Sequence, residues 1–188
     1  MRIAAGLHPH NAKHWGPEIE ECLRAMLHDK RTSCLGEIGL DYHYDLSPRE
    51  DQERAFRAQV RIAKEAGLPV MLHVREAHDD ALAIMRDEGW PEAGCILHCF
   101  TSDWETLEPW IDAGCSVTFG GALTFNNGDA IRDAAARVPE MQLMVETDSP
   151  YMAPKPLRGE VCEPAMVVFT ESALADVRGA EGEERLAL

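Results

Sequence analysis

Four times along this chain an apolar run closes on a residue that readily binds metal, and helix-forming sequence or a long loop follows. Residues 32–35 lead into Gly36-Glu37, 68–72 into His73, 94–97 into His98, and 141–147 into Asp148. Strand-like and helix-like segments that alternate with short connections predict parallel βα units. In a parallel barrel, side chains at the C-terminal strand ends converge on one face. Glu37, His73, His98 and Asp148 are therefore expected to meet there, and two imidazoles with two carboxylates suit a divalent cation. The signal lies in the four strand ends together. A lone glutamate is more often a solvated loop acid, and a lone histidine after an apolar run is more often a satisfied core residue.

The intervening segments fit the same alternation. Residues 2–7 read as a short buried strand ending at Gly6-Leu7-His8-Pro9-His10. Ile19, Cys22, Leu23, Met26 and Leu27 recur at helical spacing, which predicts a helix over 17–28. Ser47-Pro48-Arg49-Glu50 has the form of a helix start, with Ser47 as N-cap and proline in the first turn. That helix is expected to stop at Gly67, with Phe56, Val60 and Ala63 facing inward. Ser102-Asp103-Trp104-Glu105 again has capping-box form, and Pro109 predicts a kink or early break in the helix that follows. Strands are also expected over 69–72, 95–97, 116–119 and 142–145, and helices over 79–88, 129–137 and 164–178. Residues 149–162 are too rich in proline and glycine for a regular element, and the acidic end, 179–188, is expected to fray. The expected fold class is α/β: a TIM-barrel-like (β/α) barrel in one domain over 1–188, incomplete because about six strands stand where a closed barrel has eight.

Composition narrows the function. At 188 residues the chain can bury a core of its own. No run approaches the ~18 apolar residues of a membrane span, and the apolar part of the N-terminus is too short for a secretory signal. The cysteines at 22, 34, 95, 99, 115 and 162 form no CxxC pair and lie mostly in apolar runs, which points to a reduced, cytoplasmic protein. Trp15, Trp90, Trp104 and Trp110 read as packing residues. A net charge of -15 argues against a basic coat for nucleic acid. Phosphate would have to be attracted locally, by bound metal and a few basic side chains.

The stretches GEIGLDYHY at 36–44, PVMLHVREA at 69–77, ILHCF at 96–100 and ETDSPYMAP at 146–154 resemble the motifs of the TatD family of metal-dependent hydrolases, often described as deoxyribonucleases. GLHPH at 6–10, GGALTF at 120–125 and RGEVCEP at 158–164 continue the resemblance in the right order. It implies that Glu37, His73, His98 and Asp148 hold divalent ions (Mg, Mn or Zn), with Glu37 bridging two of them in the intact family. It also implies catalytic roles for Glu37 and Asp148, the latter orienting or deprotonating the attacking water. Arg75, Glu146, His8 and His10 are read as substrate-binding residues at the same opening. The Arg75 guanidinium can fork onto phosphate oxygens or pair with Glu146 or Glu37, and Glu146 can instead pair with a basic neighbour. His43 and Tyr44 line the substrate path or cap their loop. His8-Pro9-His10 resembles the family's second strand rather than its metal-binding H-x-H pair. Cys162 departs from the pattern, standing where the family usually has Asn before Glu-Pro.

The family pattern includes an earlier strand carrying H-x-H and further helical turns at the end, neither of which is found in these 188 residues. One well-formed ion site, a second weak one and impaired activity are the corresponding expectations. A bound cation lowers the pKa of water toward about 7, so the expected reaction is metal-dependent hydrolysis of phosphodiesters in DNA. Two alternatives compete: the same fold and metal acting on an amide or ester, and an inactive truncated barrel whose open strand edges invite association.

Overall fold

A computed structural model describes residues 1–180, so most of the acidic end expected to fray lies outside the described residues. The chain forms two compact units, Met1–Leu97 and His98–Leu188.

In the first unit the strands are β1 (Ile3–Ala5), β2 (Thr32–Asp41), β3 (Val70–Arg75) and β4 (Cys95–Leu97). They pair in chain order and in parallel. The helices α1 (Pro17–Leu27), α2 (Arg49–Ala66) and α3 (His78–Glu88) alternate with them. Leu35, Ile38, Leu40, Val70 and Leu72 are wholly buried, as in a parallel sheet covered by its crossover helices.

β2 runs further than the expected 32–35, through Glu37 to Asp41, and β3 runs past His73 to Arg75. Glu37 and His73 therefore sit inside strands, not after them. The β2–β3 ladder shifts register between Leu35 and Ile38 and then pairs Gly39 with His73 and Asp41 with Arg75. The shift marks Gly36-Glu37 as a bulge, the usual device for re-aiming a side chain. An apolar run ends at its first polar residue, whereas ladder hydrogen bonds use the backbone and continue regardless. Gly39, at φ 139, is required at this point: a Cβ there would strike the carbonyl oxygen of His73.

α2 starts one residue later than expected. Its N-cap is Pro48, and Ser47 Oγ instead donates to His10 O at 2.8 Å and accepts from Lys13 N at 3.2 Å. It ends as expected at Gly67, in the left-handed conformation at φ 65. Phe56, Val60 and Ala63 are buried, and so are Gln52 and Gln59, about two turns apart on the same face. Gln59 clamps the backbone of Leu7, accepting from its N–H at 2.7 Å and donating to its carbonyl at 3.1 Å. Gln52 does the same for Asp41, at 2.8 and 3.2 Å. One helix face thus fixes the two chain segments that carry His8, His10 and Asp41.

The second unit holds β5 (Ser116–Phe119) and β6 (Leu143–Val145), again parallel, with α4 (Trp104–Asp112), α5 (Asp129–Arg137) and α6 (Val167–Arg178). The cap of α4 is Asp103, which accepts from Thr106 N at 3.0 Å. The helix passes through Pro109 and ends at Asp112. A 3-10 turn over Pro164–Met166 precedes α6. Trp110, Val117, Phe119, Leu123 and Leu174 form the buried interior. Arg178 ties α6 to the end of α5, donating to the carbonyls of Ala135 and Val138 at 3.1 and 2.8 Å. No helix among the described residues is long and apolar enough to cross a membrane.

Candidate metal centre

In the first unit, three histidines and two carboxylates gather where β2, β3 and the segment after β1 end. One ligand atom from each of His8, His10 and His73 lies within 4.8 Å of the others. Glu37 Oε2 stands 3.9 Å from His8 Nε2 and 4.0 Å from His73 Nδ1. The fifth member, Asp41, was not among the residues singled out in the sequence. Its side chain is wholly buried, and its Oδ2 accepts from both His10 Nε2 and His73 Nε2 at 2.9 Å. Its Oδ1 accepts from Tyr44 N at 2.8 Å. Burial alone would raise its pKa, but these hydrogen bonds, first from Tyr44 and then from the two histidines, outweigh it and hold the carboxyl at about 2.

The second unit carries a smaller cluster. His98 follows β4 directly, and Cys99 after it has φ 47. One ligand atom from each of His98, Cys99 and Glu146 lies within 4.8 Å of the others. His98 Nδ1 is 2.8 Å from Glu146 Oε2, and His98 Nε2 is 3.6 Å from Asp148 Oδ1. Glu146 Oε2 also accepts from Thr118 Oγ1 at 2.5 Å, and the same hydroxyl accepts from Cys99 N at 2.9 Å. Asp148 is held in the left-handed region at φ 57, and its carbonyl accepts from Tyr151 N at 2.9 Å. Cys162, buried beneath this loop, places its Sγ 3.7 Å from Thr147 O.

Of the expected ligands, Glu37 thus lies beside His73 in one unit and His98 beside Asp148 in the other. His8 and His10 join the first pair and Glu146 the second. Arg75 is exposed, with its guanidinium 4.9 Å from the centroid of the Tyr44 ring, while His43 pairs with Glu76 at 2.7 Å. Sequence reading missed Asp41, Thr118 and Cys99. For Asp41 and Cys99 a usable signal existed, since both fall inside the quoted motifs. Nothing in a lone Thr118 marks it.

The donor chemistry fits a cation. A carboxylate only accepts hydrogen bonds, and a neutral imidazole carries one N–H. His73 Nε2 and His98 Nδ1, bonded to carboxylates, therefore carry the proton. His73 Nδ1 then presents a lone pair toward Glu37, and His98 Nε2 presents one toward Asp148. Acceptor facing acceptor at 4.0 and 3.6 Å is an arrangement a positive ion stabilises. Glu146 Oε1, buried and without a hydrogen-bond partner, is a further unsatisfied acceptor.

Comparison with known proteins agrees with this chemistry. Residues 1–187 match the family described as TatD related DNase. The uncharacterized metal-dependent hydrolase YcfH of Escherichia coli K12 is 41% identical over 182 residues, covering 97% of this chain and 68% of YcfH. The 3'-5' ssDNA/RNA exonuclease TatD of Pantoea vagans is 37% identical, covering 96% and 71%. Among solved structures, the TatD homologue YJJV of E. coli K12 superposes with a TM-score of 0.90 at 29% identity, over 100% of this chain and 73% of YJJV. The expected incomplete TIM-barrel-like α/β fold is thereby borne out, with six parallel strands.

Proposed function

The chain belongs to the TatD family of metal-dependent hydrolases, and from that premise we propose that it hydrolyses phosphodiester bonds of DNA. Its reaction class, metal-dependent hydrolysis of ester bonds, comes with the family. Single strands are the first substrate to test, because the Pantoea vagans relative is named an ssDNA/RNA exonuclease. In this reading Glu37 and His73 are ligands to a divalent ion in the first unit, and His98 and Asp148 are ligands in the second. Two imidazole donors favour Zn or Mn over Mg. One observation supports the reading above others: in each unit a histidine has one ring nitrogen on a carboxylate and directs the other at a second carboxylate.

These residues would hold a divalent ion, whose chemistry there would be Lewis-acid polarisation of water and of a phosphoryl oxygen. The chain's own residues do the rest. Asp148 accepts the proton of the attacking water at a carboxylate oxygen, and Glu37 is the catalytic carboxylate of the first unit. Arg75 donates to the non-bridging phosphate oxygens, which fixes the phosphorus and offsets developing charge. His8 and His10 border the substrate. Glu146 steadies His98 through Oε2 and keeps Oε1 for substrate or cation. The free cysteines fit a reducing, cytoplasmic setting.

The test is purified chain with end-labelled single-stranded DNA, stripped with chelator and then given Zn, Mn or Mg. Expected is cleavage that the chelator stops and one of the ions restores, with that ion found on the chain by elemental analysis. No cleavage with any of the three would overturn the proposal, and so would cleavage of an aminoacyl ester or amide in its place.

A further inference from the structure

We infer that Asp41 is a positioning residue: it locks His73 in the tautomer whose Nδ1 lone pair faces the ion. The inference rests on the reading of His73 as a ligand and assigns a role to a residue outside that ligand set. Among the described residues, Asp41 is the one charged side chain in the wholly buried set. A buried carboxylate needs dedicated partners, and the partners here are specific. Oδ1 is filled by Tyr44 N–H, and Oδ2 by two imidazole N–H groups, from His10 and His73. Gln52 grips the Asp41 backbone from both sides, so the side chain cannot be turned away by a shift of the strand end. With Nε2–H committed, His73 has its basic nitrogen at Nδ1, on the side of Glu37. A histidine without this partner divides between two tautomers, and only one of them offers that lone pair. His10, bound to the same oxygen, is fixed in the Nε2–H form too, and its backbone N–H is bonded to His8 Nδ1 at 3.2 Å. One buried carboxylate therefore sets the proton positions of both rings.

The experiment reads the proton directly. Long-range ¹H–¹⁵N spectra of the imidazoles, recorded on the metal-free chain above the histidine titration range, report each tautomer. His73 and His10 are expected as Nε2–H. Asp41→Asn, nearly isosteric and still able to accept from Tyr44 N–H, is expected to mix the His73 tautomers and to weaken zinc binding by about 10- to 100-fold in a chelator-competition titration. A merely structural Asp41 would lower the melting temperature without moving either the tautomer or the zinc affinity. Wild-type His73 protonated on Nδ1 would overturn the inference even if the variant failed to fold. Unchanged tautomer and zinc affinity in a folded Asp41→Asn would overturn it as well. Absence of zinc binding by the wild-type chain would overturn the hydrolase reading and this inference together, whereas zinc binding with the wrong tautomer would overturn this inference alone.

Discussion

His73 and His98 carry the same chemical device built in opposite ways. His73 lies inside β3, its backbone pinned by Gly39 across the ladder, and is anchored through Nε2 by a carboxylate that no water reaches. His98 lies just past β4, next to a residue with positive φ, and is anchored through Nδ1 by the carboxylate of Glu146, whose side chain is 17% exposed. Asp41 has all its oxygens satisfied, while Glu146 shares one oxygen between His98 and Thr118 and leaves the other without a partner. In the first centre the anchoring carboxylate has every acceptor filled. The second has an acceptor in reserve. Which ring nitrogen of a histidine meets a carboxylate is thus set by its neighbours and not by its own position in the sequence.

The largest effects test whether the two centres are equally necessary. His73→Ala and His98→Ala are each expected to cut chelator-sensitive cleavage by more than about 100-fold, since even outer partners of such ligands typically cost 10- to 100-fold. Loss in only one variant would break the parallel. Next comes stability. Asp41→Asn is expected to lower the unfolding free energy by about 1–3 kcal/mol, as buried hydrogen bonds to a charged acceptor are weakened. Glu146→Gln, at a side chain that is partly exposed, is expected to cost less; urea unfolding at neutral pH compares them.

The acid limb sharpens the same contrast. The folded-state pKa of Asp41 is depressed to about 2 from 3.8, so its contribution is fully present above the unfolded value. It is lost as pH falls through that window. The stability gap between wild type and Asp41→Asn should therefore close between those values, seen as converging urea midpoints. Arg75→Ala is expected to raise KM for oligonucleotide by about 10-fold, the worth of a charge-assisted contact, with zinc affinity unchanged. Thr118→Val removes one hydrogen bond from Glu146 and should weaken zinc binding by about 5-fold, the smallest effect on the second centre.

The alternation of apolar runs and helical stripes made the βα order legible, because burial and helix periodicity are local properties of the chain. The stop at Gly67 and the inward Phe56, Val60 and Ala63 followed from the same patterns. Other features did not. Ser47 reads as a cap but spends its hydroxyl on His10, a residue far along the chain whose proximity no local rule supplies. The length of β2 depends on a partner strand and a bulge, so a run that ends at Leu35 in composition ends at Asp41 in hydrogen bonding.

What the sequence determined by itself is the cast: acids and imidazoles at the ends of apolar runs, within motifs that resemble those of one family of hydrolases. Tertiary structure alone decided which carboxylates hydrogen-bond one nitrogen of a ring and which stand opposite the other. Glu37 and Asp41 differ by a few positions in one strand, yet one stands beside the lone pair and the other beneath the proton. Chain order cannot separate those roles, because they depend on which ring edge each side chain meets after the strands have paired.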